Sequence, residues 1–400
     1  MDYSFREEIY SLKKTPMVEM YNLAKKHMGL DDKLINFTSG HPSEDIFPYK
    51  LIQKYLIEAT EFGKTPSVLQ YGSHIGYMPL REELKCFYGK KDGIIKQEDE
   101  LAITYGATEG IFLMTLAFIR PRDRVIVEEP TYVNAIRIFR LLGAEIVAVP
   151  MESDGVSLSS LECEMKKGAQ FFYTVPNFSN PSGTTMSLQK RKAVIEYAKR
   201  YNVMVLEDNP YGDLRYRNHA LPSIKALDED NKTVYVGSMS KIIAPGLRIG
   251  FVIARKELIE KMVMLKGLTS NGVSNLTQYA VWKMFGTKDM CTEIDKVCAL
   301  YHAKLLQMEA CMEKYFPKDV SWSSPDGGMY IWVTLPDGVD INKFCMDSAT
   351  KLHVPVTPGN DFYVSKPDKC SSIRLNFVKE TLEDIEHGIQ QLGKLMYENI

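Results

Sequence analysis

The chain has 400 residues, which is more than one small hydrophobic core accommodates, and this length predicts two closely packed domains. Its 49 lysines and arginines nearly balance 51 aspartates and glutamates, so neither nucleic acid nor an anionic membrane is expected as a partner. The seven cysteines form no Cys-x-x-Cys motif, and the longest apolar run, at residues 111–119, is about half a membrane span. We therefore expect a cytoplasmic protein without a metal site.

The first 45 residues are predicted to be helical and then irregular, with no strand ladder. Between residues 100 and 255, short apolar runs alternate with helical patterns. The runs are rich in β-branched residues, which is typical of strands buried on both faces of a sheet. They predict strands at Leu101–Thr104, Arg124–Val127, Glu145–Val149, Phe171–Val175, Val203–Leu206, Thr233–Val236 and Leu247–Ile253. The helices between them are predicted near residues 109–119, 131–142, 158–167 and 188–201.

This alternation predicts an α/β fold around a mainly parallel seven-stranded sheet between helices, with ligands bound beyond the carboxyl ends of the strands. After residue 255 the pattern changes. It predicts a long helix, two strands and a final helix, near residues 288–315, 329–334, 372–377 and 380–397. We predict a large domain at residues 46–285 and a smaller α+β domain that combines residues 1–45 with residues 286–400.

The segment at residues 237–248, Gly-Ser-Met-Ser-Lys-Ile-Ile-Ala-Pro-Gly-Leu-Arg, places Lys241 just after a predicted strand. A lysine at a strand end can be dehydrated and surrounded by cations, and either effect lowers its pKa and makes it a nucleophile toward a carbonyl. Ser238, Ser240 and Arg248 supply the donors that a bound phosphate needs. The segment therefore suggests a Schiff base between Lys241 and pyridoxal 5'-phosphate (PLP), although such residues also occur in ordinary polar turns.

Asp208 ends another apolar run and is followed by Asn209, Pro210 and Tyr211. A carboxylate at a strand end could hold the pyridine nitrogen of PLP protonated, which makes the ring a strong electron sink. Tyr211 could donate a hydrogen bond to the phenolic oxygen of the ring. The same residues are also typical of a turn.

Gly106, Ala107 and Thr108 lie between a predicted strand and a helix that is expected to begin near Glu109. Free backbone N–H groups at a helix start, together with a hydroxyl, form a phosphate cradle. Thr108 is equally typical of a helix N-cap.

Asn180 and Tyr132 also follow predicted strands. The Asn180 amide could reach the phenolic oxygen of PLP, and the alternative is a tight turn. Tyr132 either packs against the cofactor ring or is a core residue. Each of these residues alone is weak evidence for a cofactor site. Together they are stronger evidence, because all of them lie at the carboxyl ends of predicted strands.

A set of segments spread over nearly the whole chain carries a family resemblance. They are Phe37–Gly40 with Phe47–Pro48, Leu69–Gly72 with Gly76 and Leu80–Glu82, Gly106–Thr108, Pro130–Tyr132, Asn180–Gly183, Asp208–Tyr211, Ser238–Arg248, Gly327–Gly328 with Trp332, and Arg374. On these segments the chain resembles fold-type-I PLP-dependent aminotransferases of class I/II. It is most similar to the branch of 2-aminoadipate and kynurenine aminotransferases and of the effector domains of PLP-containing transcription regulators.

The resemblance implies roles for the cofactor-binding residues. Lys241 would form the Schiff base and move the proton between the substrate Cα and the cofactor. Asp208 would pair with the pyridine nitrogen, and Tyr132 would stack on the ring. Asn180 and Tyr211 would contact the ring oxygen. The expected phosphate ligands are Gly106, Ala107, Thr108, Ser238, Ser240 and Arg248.

The resemblance also implies a homodimer with shared active sites, because Tyr71 would reach the phosphate in the neighbouring subunit. Arg374 would bind the substrate α-carboxylate, helped by Asn180 and the backbone near Gly40. Without the resemblance, Arg374 would be interpreted as a half-exposed strand residue.

The sequence of the N-terminal helix indicates which class of substrate side chain is expected. In the aminoadipate enzymes an arginine on this helix binds the distal carboxylate of the substrate. The corresponding stretch of this chain, residues 15–20, contains no arginine. Met17, Met20 and Tyr21 could line an apolar side-chain pocket, or they could be core residues. We expect a ping-pong aminotransferase whose amino donor is an L-amino acid with a neutral aliphatic or aromatic side chain. The expected acceptor is a 2-oxo acid such as 2-oxoglutarate.

Two other classes of function stay open. A PLP-dependent carbon–sulfur β-lyase shares every early step with transamination, so the residues above do not exclude it. An effector-like binding module of a transcription regulator would carry an N-terminal winged helix. The segment before Phe37 is expected to be too short for one, and it has no basic recognition helix.

Overall fold

The computed structural model describes residues 4–5, 7–10, 16–29, 32–61, 68–287, 289–365 and 370–400. The strands within them are β1 Asp99–Thr104, β2 Arg124–Glu129, β3 Glu145–Glu152, β4 Gly155–Val156, β5 Phe171–Thr174, β6 Met204–Asn209, β7 Thr233–Ser238, β8 Gly250–Arg255, β9 Ser321–Trp322, β10 Tyr330–Thr334, β11 Thr357–Pro358 and β12 Ser372–Asn376. The helices are α1 Glu7–Tyr10, α2 Pro16–His27, α3 Tyr49–Thr60, α4 Met78–Asp92, α5 Gly106–Phe118, α6 Val133–Leu141, α7 Leu158–Lys166, α8 Leu188–Tyr201, α9 Ile224–Leu227, α10 Lys256–Thr269, α11 Asn275–Phe285, α12 Asp289–Tyr315, α13 Ile341–Lys351 and α14 Leu382–Asn399.

The larger sheet confirms the predicted α/β architecture. Its strand order is β1-β8-β7-β6-β5-β2-β3-β4. Strands β3, β2, β5, β6 and β7 are parallel, whereas β8 runs antiparallel between β7 and β1. The eighth strand, β4, is a two-residue antiparallel partner of β3 that sequence patterning did not predict.

The start of β8 corrects one predicted boundary. The run Leu247–Ile253 was expected to be a strand throughout, but β8 begins at Gly250. Residues 245–247 form a 3-10 turn, and Arg248 has a φ of 54°, in the left-handed region, so neither can belong to a strand.

The central strands are buried on both faces, as their apolar composition predicted. Successive residues of β2 point to opposite sides, with Val125 and Val127 in the core beneath α5 and α6, and Ile126 in the core beneath α7 and α8. In β5, Phe171 and Tyr173 belong to the first of these cores and Phe172 to the second. Since side chains alternate along a strand, a continuous apolar run fills both layers at once.

The smaller sheet has the order β11-β12-β10-β9. The chain from residue 35 to residue 37 lies along it, because the Asn376 N–H donates to the Phe37 oxygen at 2.9 Å and the Ile35 N–H donates to the His353 oxygen at 3.1 Å. Helix α2 packs on α13. The N-terminal segment thus lies against the C-terminal one, while the domain boundaries given above stay a prediction.

None of the helices in the described ranges combines the length and the apolar character that a membrane crossing requires. Within the same ranges, no three histidine, cysteine, aspartate or glutamate side chains are grouped so that they could hold a metal ion.

Candidate active site

A cavity of about 540 Å³ lies beyond the carboxyl ends of the central strands. The sheet register creates this edge, since Ser238 at the end of β7 and Thr104 at the end of β1 both lie opposite Gly250 at the start of β8. The end of β7 therefore lies next to the start of α5. The predicted site residues that line the cavity are Gly40, Gly106, Ala107, Thr108, Tyr132, Asn180, Asp208, Tyr211, Ser238, Ser240, Lys241, Arg248 and Arg374.

The first turn of α5 forms one end of the cavity. The helix begins at Gly106 and not near Glu109, so Gly106, Ala107 and Thr108 all belong to its first turn, where backbone N–H groups have no intrahelical acceptor. Its N-cap residue is Tyr105, so the alternative that Thr108 is the N-cap is wrong. Free N–H groups and the helix dipole at this position favour an anion such as a phosphate.

Gly106 and Arg248 fit this anion site closely. Gly106 has a φ of 73°, and a Cβ on it would lie 2.6 Å from Nη2 of Arg248. The guanidinium Nη2 donates to the Tyr105 carbonyl at 2.9 Å, which holds it beside the helix start. Ser238 and Ser240 are buried at the end of β7 next to the same turn. Only glycine at position 106 leaves room for the cation in this place.

Lys241 lies in the turn after β7, and its Nζ donates to the carbonyl of Gly40 at 2.8 Å. Burial, together with the positive charges of Arg374 and Arg248, lowers the pKa of Lys241 to about 8. Both effects that the sequence suggested, dehydration and neighbouring cations, are therefore present. A substantial share of the amine is neutral near physiological pH, as a nucleophile requires.

Asp208 is the penultimate residue of β6, with 2% of its surface exposed. Its Oδ2 accepts a hydrogen bond from the Tyr173 hydroxyl at 2.7 Å, whereas its buried Oδ1 has no partner among the described residues. Burial raises the pKa of Asp208 to about 7, against the opposing effect of the Tyr173 hydrogen bond. A buried acceptor without a donor is unfavourable, and the protonated ring nitrogen of a cofactor such as PLP would supply the donor that Oδ1 lacks.

Aromatic side chains form the wall between Asp208 and Arg374. The rings of Tyr211 and Tyr330 meet edge to face with their centroids 5.9 Å apart. Burial raises the pKa of Tyr211 and of Tyr132, so both hydroxyls keep their protons at neutral pH. The Tyr132 hydroxyl accepts a hydrogen bond from Nδ2 of Asn134 at 3.0 Å. Both phenols therefore line the cavity in their protonated form.

Arg374 comes from the smaller sheet, on β12 between Trp332 and Thr357. It is 1% exposed, and no carboxylate in the described ranges pairs with it. Its Nη1 donates to Oδ1 of Asn180 at 2.9 Å, and its Nη2 donates to the carbonyl of Thr38 at 2.6 Å. Burial lowers the pKa of Arg374. A buried guanidinium without a counter-charge fits a substrate carboxylate.

Tyr71 is the one predicted site residue outside this cavity. Its side chain is 84% exposed, and the neighbouring Leu69 is 77% exposed. Its role stays a prediction that depends on a second subunit.

Sequence patterning missed several residues that line or support the cavity. Tyr173 and Tyr330 stand in apolar strands that could be assigned only to the core, while Lys379 and His41 carried no motif. Of the three residues expected in the apolar pocket, Met17 and Tyr21 line the cavity together with Val18. Met20 packs against the core, which was its alternative interpretation.

The comparisons with known proteins agree on one family. The model of the family described as aminotransferase class I and II matches residues 32–392. The chain is 31% identical, over its full length and 96% of the relative, to aromatic-amino-acid aminotransferase 1 of Thermococcus litoralis.

Two solved structures share the fold with a TM-score of 0.93 each. The multiple substrate aminotransferase of Thermococcus profundus is 32% identical, and the match covers 99% of this chain and 98% of that one. The kynurenine aminotransferase of Pyrococcus horikoshii, solved in complex with PMP, is 33% identical, and the match covers 99% of this chain and 97% of that one.

Proposed function

Because the chain belongs to the class I and II aminotransferase family, we propose that it transfers the amino group of a neutral aliphatic or aromatic L-amino acid to a 2-oxo acid such as 2-oxoglutarate. PLP is the cofactor. The reaction is a ping-pong cycle in which the two substrates use one cavity in turn.

The observation that carries this proposal is a set of groups in one cavity that lack either a counter-charge or a hydrogen-bond donor. The Lys241 amine, with a pKa of about 8, faces the same space as the partnerless Oδ1 of Asp208 and the guanidinium of Arg374, which has no carboxylate partner in the described ranges. Each of these is unfavourable in the protein alone and is relieved by a group that PLP or an amino acid brings.

The cavity contains residues that would hold each part of PLP. The first turn of α5 with Arg248 would hold its phosphate, Asp208 would accept from its pyridine nitrogen, and Asn180 with Tyr211 would donate to its ring oxygen. When bound, PLP supplies an electron sink for the carbanion at the substrate Cα. Asp208 keeps the pyridine nitrogen protonated, because an ionised carboxylate in a buried place attracts that proton strongly.

The residues of the chain supply binding and proton transfer. Arg374, Asn180 and the backbone near Gly40 would orient the α-carboxylate, so that the Cα–H bond faces Lys241. The Lys241 amine would take the proton from the substrate Cα and return it to the cofactor side. A pKa near 8 suits both steps, because the amine neither holds nor rejects the proton strongly at neutral pH.

The substrate proposal rests on the cavity wall and on relatives. Met17, Val18 and Tyr21 from α2 offer an apolar surface for a neutral side chain. The relatives named above act on aromatic amino acids, on multiple substrates and on kynurenine, by their names. We propose a homodimer as well, in which the exposed Tyr71 of one subunit serves the cavity of the other.

The test is a half-reaction with the PLP-loaded enzyme and single amino acids, with no oxo acid present. Loss of the visible absorbance of the cofactor and stoichiometric formation of the oxo acid are expected for neutral donors, and Lys241→Ala should abolish both. Release of ammonia and pyruvate with unchanged absorbance would instead identify a β-lyase. No change with any amino acid would refute the proposed activity.

A further inference from the structure

The cavity carries more positive charge than the proposed reaction uses. Among the described residues, its lining includes the cations Lys241, Arg248, Arg374 and Lys379, but only one carboxylate, that of Asp208. The proposed function assigns the first three cations to the cofactor carbonyl, the phosphate and the substrate α-carboxylate. Lys379 has no part in it.

A short hydrogen-bonded turn places Lys379 on the cavity wall. Strand β12, which carries Arg374, ends at Asn376. The side-chain Oδ1 of Asn376 accepts from the backbone N–H groups of Val378 at 3.0 Å and of Lys379 at 3.1 Å. Arg374 and Lys379 are therefore held by one rigid segment of the chain and line the same space. A substrate carboxylate on Arg374 would lie in the cavity that Lys379 also faces.

The ion pair of Lys379 leaves its ammonium available. Its Nζ lies 3.4 Å from Oε1 of Glu380, and that oxygen also accepts from the Asn36 N–H at 3.0 Å. The lysine side chain is 38% exposed, whereas that of Glu380 is 13% exposed. A long, half-exposed pair with a shared oxygen contributes little to stability, so the fold does not explain the lysine.

The neighbouring His41 adds no positive charge to this wall at neutral pH. Burial lowers the pKa of His41, and the charges of Lys241 and Lys379 lower it further. His41 follows Gly40, whose carbonyl accepts from Lys241. The wall between the two lysines is therefore neutral, and the ammonium of Lys379, which Glu380 pairs only at 3.4 Å, attracts anions in the cavity.

We propose that Lys379 binds the second carboxylate of a dicarboxylic substrate, namely the acidic 2-oxo acid acceptor and the amino acid formed from it. A neutral donor would place its side chain on Met17, Val18 and Tyr21 instead. The inference rests on the proposed function, because it requires the α-carboxylate to lie on Arg374. It would explain how one cavity accepts a neutral donor and an acidic acceptor in turn.

Binding of unreactive acids to the PLP-loaded enzyme tests this inference without catalysis. Glutarate and the monocarboxylate pentanoate are titrated by calorimetry into wild type, Lys379→Gln, Lys379→Arg and a control, Lys351→Gln. Lys351 is an exposed lysine paired with Asp347 outside the cavity. We expect Lys379→Gln to weaken glutarate binding about 10-fold or more and pentanoate binding less than about two-fold. Lys379→Arg should retain most of the glutarate affinity, and Lys351→Gln all of it.

Half-reaction kinetics with glutamate and with a neutral donor give the second readout. Lys379→Gln should raise the KM for glutamate and leave the neutral donor unchanged. Equal effects on both acids, or no effect on glutarate, would overturn the inference while transamination by the wild type still stands. Conversely, selective loss of glutarate binding in a protein that transaminates no amino acid would support the Lys379 site and refute the proposed function.

Discussion

Replacing Gly106 by alanine is expected to weaken PLP binding far more than it weakens the fold. The new Cβ would lie 2.6 Å from Nη2 of Arg248, which is the far end of a flexible side chain and can move away. The fold then loses only what a φ of 73° costs an alanine, about 1 kcal/mol. The phosphate loses a charge-assisted hydrogen bond worth about 1.5–3 kcal/mol, so the affinity for PLP should fall about 10- to 100-fold.

Gly168→Ala is the matched control. Gly168, just after the end of α7, also has a positive φ, of 86°, and a Cβ on it would meet no atom within 4 Å. It therefore carries a comparable backbone cost without displacing a cation. Urea unfolding should show a similar loss of stability in both variants, while only Gly106→Ala should lose affinity for PLP.

Absorbance titration of the apo enzyme with PLP, and with pyridoxal that lacks the phosphate, measures the effect. The Gly106→Ala variant and the wild type should bind pyridoxal equally. Equal PLP affinities of Gly106→Ala and Gly168→Ala would refute the assignment of Arg248 and the first turn of α5 to the phosphate. A loss of pyridoxal binding in Gly106→Ala would refute it as well, because the damage would then extend beyond the phosphate.

Three further predictions concern the buried charges. Arg374→Leu should lower kcat/KM for every donor at least about 30-fold, because the α-carboxylate loses its buried partner. Steady-state kinetics measure this, and an unchanged kcat/KM would contradict the assignment of Arg374 to the α-carboxylate. Capture of PLP by the apo enzyme should accelerate with pH with a midpoint near 8, as the Lys241 amine becomes neutral. Arg374→Leu should shift this midpoint upward, because a cation that lowers the pKa of Lys241 is gone. Stopped-flow absorbance measures both. Burial raises the pKa of Asp208 from 3.8 to about 7, so its contribution to the stability of the apo protein should fall by up to a few kcal/mol as the pH rises from about 4 to 7. Asp208→Asn should remove this contribution, together with transamination, and urea unfolding of the wild type and the variant at the two pH values measures the difference.

Local pattern explains why much of the site could be predicted. Ser238, Asp208 and Asn180 each lie at or beyond the carboxyl end of a short apolar run, and parallel strands bring such ends to one edge. The assignment of Lys241 followed from the same rule. The predicted start of α5 near Glu109 is wrong, because Gly106 and Ala107 lie in the first helical turn although a glycine after a strand is typical of a loop.

The sequence by itself determined the alternation of strands and helices, and with it the sheet and the edge at which Lys241 and Asp208 meet. Periodicity encodes these features because they depend on residues near each other in the chain. Only the tertiary structure decided that Arg374 and Thr38, which are 336 residues apart, share a hydrogen bond, and that Lys379 faces the same cavity. It also decided the pKa values of Lys241 and Asp208, because desolvation depends on the atoms that long-range packing places around a group and not on its neighbours in sequence.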